Sequence, residues 1–158
     1  GSDQGNDHGA AGGHEFRSAA NRRGIFTYDI SGDTDLKGAI EYVQRIKNLG
    51  FEIDEVRIWD HGGETLGQEY GNKFLHKLPN AKRDMQALGS LLTPNGKIHL
   101  MGCNVGGPNG CMQDYANDFG RTTTASTIPV YYGMDNWFFG VYRFYLTISS
   151  KQPTGGEK

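Results

Sequence analysis

The sequence predicts an α/β fold: a mostly parallel central sheet with helices on both faces. Three observations predict it. Short runs rich in β-branched and aromatic residues alternate with longer stretches of helical period. Turn-forming residues, above all glycine, close most of these stretches. The length, 158 residues, suits one domain with one sizeable core.

Residues 1–22 are rich in Gly, Asp, Asn, Ala and His and carry almost no apolar side chain before Phe16. That composition predicts a flexible leader, its histidines His8 and His14 included. Gly1-Ser2 reads as a cloning scar, so the chain is expected to be part of a larger one. Residues 23–149 form the predicted domain, and 150–158 a flexible tail. Within the domain, "GIFTYDI" (24–30) predicts a strand. In the next stretch Asp33 or Thr34 can cap a helix; Leu36, Ile40, Val43 and Ile46 fall at helical spacing, and Gly50 ends it. "DEVRIWD" (54–60) predicts the second strand and "TLGQEYGNKFL" a short hairpin or loop. "NAKRDMQALGSLL" (80–92) predicts a helix with Met85, Leu88 and Leu92 on one face. "KIHLMG" (97–102), "GCMQDYANDFG" (110–120) and "TTTAST" (122–127) predict strand, helix and strand. Residues 129–148 predict a hairpin turning at Met134–Asn136. The six aromatics of "NWFFGVYRFYL" (136–146) fit a core strand, with an interaction patch as the alternative.

Formal net charge is −2 and pI about 6.2. Neither supports a nucleic-acid or anionic-membrane surface. The apolar stretches are far short of a membrane span, and the N-terminus has no secretory pattern. Two cysteines, Cys103 and Cys111, make no disulfide framework. Zinc sites take two ligands from a short knuckle such as Cys-x-x-Cys, and none is present, so no metal or other cofactor is expected.

In open α/β sheets, ligands bind outside the carboxyl ends of the strands. His61 directly follows one predicted strand, in "IWDHGG", and Cys103 directly follows another, in "IHLMGCNVGG". Both would emerge at the same sheet edge. A thiol near a helix N-terminus has its pKa lowered, and a histidine within reach completes an activated nucleophile. Gly62 and the Cys103 amide are the candidate oxyanion donors. The alternative for Cys103 is a buried structural thiol. On an extended strand Asp60 points away from His61's face, so a salt bridge or turn-capping role suits it better than orienting His61. Cys111, His99 and His76 read as bystanders: core or half-exposed, satisfied interior, and solvated.

"VRIWDHGG" and "IHLMGCN", 42 residues apart from His61 to Cys103, resemble the paired blocks of the caspase-like superfamily of cysteine peptidases. The Asp-His-Gly form is similar to legumain and clostripain, and the caspase Gln-Ala-Cys-x-Gly signature is absent. With "TLGQEYG", "GCNV" and "TTTAST", residues 24–133 look most like a caspase-like domain of unknown function found in large bacterial secreted and surface proteins. The resemblance implies a caspase-like three-layer sandwich and a thiol peptidase that acts on a protein or peptide substrate as a self-processing, effector or toxin domain. Cys103 would attack, His61 would move the proton, and Gly62 and Cys103 amides would hold the oxyanion. It implies a specificity pocket walled by Asp29, Ser31, Met101, Ser126 and Thr127. An acidic wall from Asp29, helped by Asp33 or Asp35, favours Lys or Arg before the cut, and no arginine stands there to favour Asp. The alternatives are an inactive binding or scaffold module of the same fold and a thiol amidase or acyl transferase.

Overall fold

The strand β5 (Lys97–Leu100) explains the centre of the molecule. Its residues alternate: Ile98 and Leu100 are fully buried, Lys97 is exposed and His99 half-buried, the period-2 pattern of a pleated strand. The structure, a computed structural model, describes residues 25–128 and 148–154. On one side β5 pairs in parallel with β1 (Glu55–Ile58), from Glu55 opposite Lys97 to Ile58 opposite Leu100. On the other it pairs in parallel with β6 (Thr122–Ser126), from Lys97 opposite Thr122 to Leu100 opposite Ala125. An antiparallel strand, β7 (Ile148–Lys151), completes the order β1-β5-β6-β7.

Helices supply the crossovers that parallel strands require. α1 (Lys37–Asn48) precedes β1, α2 (Ala81–Ser90) lies between β1 and β5, and α3 (Met112–Phe119) between β5 and β6. Also between β1 and β5 lies a small antiparallel sheet, β2 (Gly62–Gly63), β3 (Gly67–Tyr70) and β4 (Lys73–Phe74), followed by a single 3₁₀ turn at Leu75–Lys77. The result is an α/β fold, a mixed but largely parallel sheet flanked by helices in a three-layer-like arrangement.

Each helix buries the face its sequence period marks. In α1, Val43 and Ile46 are buried and Ile40 packs against the core. In α2, Met85 and Leu88 are buried, followed by Leu92 just past its end. In α3, Tyr115 and Phe119 are each about 1 % exposed. Full burial of one such side chain contributes roughly 1.5–3 kcal/mol. α2 and α3 meet at Gly89, where a methyl group would run into the Phe119 carbonyl. α1 ends at Gly50, whose φ of 102° is left-handed and whose N–H donates to Lys47. Its start differs from expectation. Asp35, rather than Asp33 or Thr34, accepts the Lys37 N–H, at 2.9 Å.

Two further expectations change. Residues 25–30 carry no strand. Their aromatic residues pack sideways instead: Tyr28 lies 5.3 Å from Tyr42 of α1 between ring centroids, and its hydroxyl donates to Asp33 at 3.1 Å. Burial and the Asp33 carboxylate push the Tyr28 phenol up to about 12. At the other end, residues 150–154 are no loose tail. β7 takes in Ser150 and Lys151, the Gln152 carbonyl accepts from Gln113, and the Thr154 N–H donates to Asn117. A polar Ser-Ser-Lys segment carries no apolar alternation, yet suits a sheet edge. The leader (1–22) and the predicted 129–148 hairpin fall outside the described residues, apart from Ile148.

His99 is held across the sheet. Its Nδ1 is hydrogen-bonded to Thr124 on β6, and its Nε2 lies 3.5 Å from Glu55 on β1. Neighbouring His99, with help from Arg57, lowers the Glu55 carboxyl to about 2 from an ordinary 4.5.

Two outcomes are expected. Gly89→Ala costs about 1–3 kcal/mol of stability despite the better helix propensity of alanine, read as a lower urea midpoint. Glu55 has a depressed folded-state pKa, so its contribution is complete above about pH 4.5 and is lost as pH falls towards 2. Glu55→Gln therefore lowers the urea midpoint at pH 6, and the gap from the parent narrows steadily below pH 4.5.

Candidate active site

The apolar strands β1 and β5 end level with each other. Ile58 stands opposite Leu100, and the Met101 N–H donates to the Ile58 carbonyl at 2.9 Å. His61 and Cys103 both lie three residues beyond that last pair, on neighbouring parallel strands. Each is half-buried.

The chain segments that carry them touch through glycine. A methyl on Gly102 would stand 2.7 Å from the His61 carbonyl oxygen and 2.9 Å from both Gly62 Cα and Gln68 Oε1. A methyl on Gly62 would stand 2.5 Å from Val105 Cγ2 and 3.1 Å from Gly102 Cα. A side chain at Gly102 would force backbone to move, and one at Gly62 would run into the Val105 side chain. The approach explains the glycines that precede Cys103 and follow His61.

Gln68 fastens the contact. Its side chain is fully buried; Oε1 accepts the Gly102 N–H at 2.9 Å and Nε2 donates to the Glu69 carbonyl at 3.0 Å. Its own N–H donates to the Tyr115 hydroxyl at 2.9 Å, which ties β3 to α3. Burial raises the Tyr115 phenol well above its ordinary value, and Cys111 adds to the effect. Tyr115 also lies 3.4 Å from His76 Nδ1.

The oxyanion candidates have a definite backbone setting. Glu69 N–H donates to the His61 carbonyl at 2.9 Å, and Gly62 stands opposite Gln68. Antiparallel pairs alternate between bonded and non-bonded, so Gly62 is a non-bonded position whose N–H turns away from β3. The Gly102 N–H, in contrast, is committed to Gln68.

Asp60 is a turn-capping residue. It is 1 % exposed, and its Oδ1 accepts the N–H of His61 at 2.8 Å. Burial raises its carboxyl above the usual range, while hydrogen bonds from the His61 and Gly71 amides pull the other way. Gly71 also touches the turn at residues 30–33: a methyl there would stand 3.2 Å from the Ile30 carbonyl and 3.1 Å from that of Asp33.

The pocket candidates scatter in character. Asp29 is exposed, and its Oδ1 accepts the Ser31 N–H at 2.9 Å. Met101, the residue after β5, is 1 % exposed. Ser126 is buried; its hydroxyl donates to the Ile128 carbonyl and accepts the Ile128 N–H. Thr127 is exposed. Asp33 is held between the Tyr28 and Tyr70 hydroxyls, the latter at 2.8 Å, and Asp35 by the start of α1.

The loop after Cys103 is tied on two sides. Asn104 donates its backbone N–H to Ile128, just beyond β6, and Gly106 donates to Ser126, the last residue of β6. From the small sheet, the Glu64 carboxylate accepts the Asn109 N–H at 2.6 Å. Cys111 is half-buried against the core, and Cys103 and Cys111 form no disulfide with each other. Sequence reasoning missed Glu64, Gln68, Glu69 and Tyr115. Their one signal is proximity to His61 and Cys103, which depends on a hairpin register that short polar segments do not declare. Among the described residues, no group of three or more His, Cys, Asp or Glu could hold a metal ion, and no helix is long and apolar enough to cross a membrane.

No family model, no curated protein and no solved structure matches the chain.

Gly102→Ala is expected to cost about 1–3 kcal/mol, read from the urea midpoint. Gly63→Ala, whose methyl would meet only Leu66 at 3.7 Å and 3.9 Å, is expected to cost clearly less. Equal losses would contradict the close approach of the two strand ends.

Proposed function

We propose that the chain is a caspase-like cysteine peptidase domain in which His61 and Cys103 form the catalytic dyad. The observation that supports this reading is the shared offset of the two residues, three beyond the last pair of adjacent parallel strands. Their segments meet at Gly62 and Gly102, so no side chain of those residues keeps them apart.

In the proposed reaction the Cys103 sulfur attacks the carbonyl carbon of a peptide bond, and its proton passes to His61. The carbonyl electrons move to oxygen, where the Gly62 and Cys103 amides stabilise the charge. As the tetrahedral adduct collapses, the C–N bond breaks and the leaving amine takes the proton from His61. Water then hydrolyses the thioester and restores the thiol. Asp29, helped by Asp33 or Asp35, would favour Lys or Arg before the cut by charge pairing. A self-processing or effector role within a larger bacterial secreted or surface protein is the setting this reading carries with it.

Iodoacetamide, with the modified cysteine identified by peptide mass spectrometry, tests the dyad. Cys103 is expected to react faster than Cys111 at neutral pH, and His61→Ala to slow it on the order of tenfold. Peptide cleavage is expected to fall by at least about 100-fold in His61→Ala and to vanish in Cys103→Ser. If Cys103 reacts no faster than Cys111 and His61→Ala leaves its rate unchanged, the domain is a non-catalytic binding module instead. Preferred cleavage after Asp, rather than Lys or Arg, would overturn the pocket assignment.

A further inference from the structure

The small sheet places an acid opposite His61. β2 and β3 pair with Gly63 opposite Gly67 and Gly62 opposite Gln68. One step further the same register sets His61 opposite Glu69, and the Glu69 N–H donates to the His61 carbonyl at 2.9 Å. Residues directly opposite in an antiparallel pair project to the same face with Cβ atoms about 4.5–5.5 Å apart, close enough for an acid and a base to interact.

We propose that Glu69 is a positioning residue for His61: its carboxylate orients the imidazole across the β2–β3 ribbon and stabilises the imidazolium formed when Cys103 gives up its proton. The proposal rests on the peptidase reading above. No proton moves to Glu69; it stays ionised while the proton travels from Cys103 sulfur to His61 and on to the leaving amine. The division of labour mirrors the general logic of a base held by a third group.

The surroundings fit this role. Glu69 is half-buried, so its charge is only partly screened by water. Burial, and then the neighbouring Asp60 charge, raise its carboxyl, while the charge of His61 pulls it down. The charged groups that act on His61 are thus Asp60 from the end of β1 and Glu69 from β3. Asp60 spends Oδ1 on the backbone N–H of His61. Glu69 is the acid that the register sets directly opposite His61.

Two measurements test the proposal. The first is the rate of Cys103 alkylation by iodoacetamide between pH 4 and 9 in the parent chain, Glu69→Gln, Glu69→Asp and His61→Ala. Loss of an opposite charge at this range is worth at least about one pH unit. Glu69→Gln is therefore expected to slow the reaction about tenfold near pH 6 and to move the profile to higher pH, with partial recovery in Glu69→Asp. A Glu69→Gln profile that superimposes on the parent, while His61→Ala is slow, overturns the role of Glu69 and leaves the dyad standing. If His61→Ala also matches the parent, the dyad falls and the role of Glu69 with it. The second is the titration of the Glu69 carboxyl by carbon-detected NMR, which needs no activity. Its midpoint is expected to rise in His61→Ala and fall in Asp60→Asn. No movement in His61→Ala would show that the two side chains do not interact, and would overturn the proposal.

Discussion

Everything at the candidate site depends on the parallel pairing of β1 with β5. Four residue pairs, Glu55 with Lys97 through Ile58 with Leu100, set the height at which the two strands leave the sheet. A shift of one residue in that register would turn Ile98 and Leu100 to the wrong face, because strand side chains alternate. Core burial thus enforces the same alignment that brings His61 and Cys103 level. Stability and the geometry of the site are not independent properties here; the apolar contacts of Ile58, Ile98 and Leu100 serve both.

Beyond the last sheet pair, backbone contact takes over from side-chain packing. Gly102 lies so close to His61 and Gly62 that a Cβ on it would collide with their backbone, and one amide side chain, that of Gln68, seals the approach. A buried amide is costly unless its polar atoms are paired. Gln68 meets that condition with its oxygen on Gly102 and its nitrogen on Glu69. The Tyr115 hydroxyl then links this seam to α3, so the contact is anchored in the core rather than suspended between loops.

Much of this was legible in the residue pattern. The strands ending near Ile58 and Leu100 announce themselves by apolar runs, and the helix face of Met85, Leu88 and Leu92 by period. Two strand ends followed by His-Gly and Gly-Cys could therefore be assigned to one sheet edge without coordinates. What stayed hidden has a common cause. Gln68 and Glu69 gain their importance from pairing across a turn between Gly63 and Gly67, and polar segments with no core-facing alternation do not reveal their register. β7 went unread for the same reason. Residues 25–30 erred the opposite way: their aromatic and β-branched composition suits any half-buried surface, and here it packs on α1 instead of joining the sheet. Asp60 needed only local reasoning, since a short acid at a strand end reaches the next amide.

The edge pairing of β7 with β6 has a topological consequence. Ser126 stands directly opposite Ile148, so the chain leaves the sheet and re-enters it one strand apart. The ladder therefore holds side by side the two ends of a segment of 21 residues. A single cut between these positions would yield two polypeptides that share four strand pairs, with the His61 and Cys103 segments both on the larger one. Such a nicked species would travel as a single particle under native conditions and separate into two only when the sheet is unfolded.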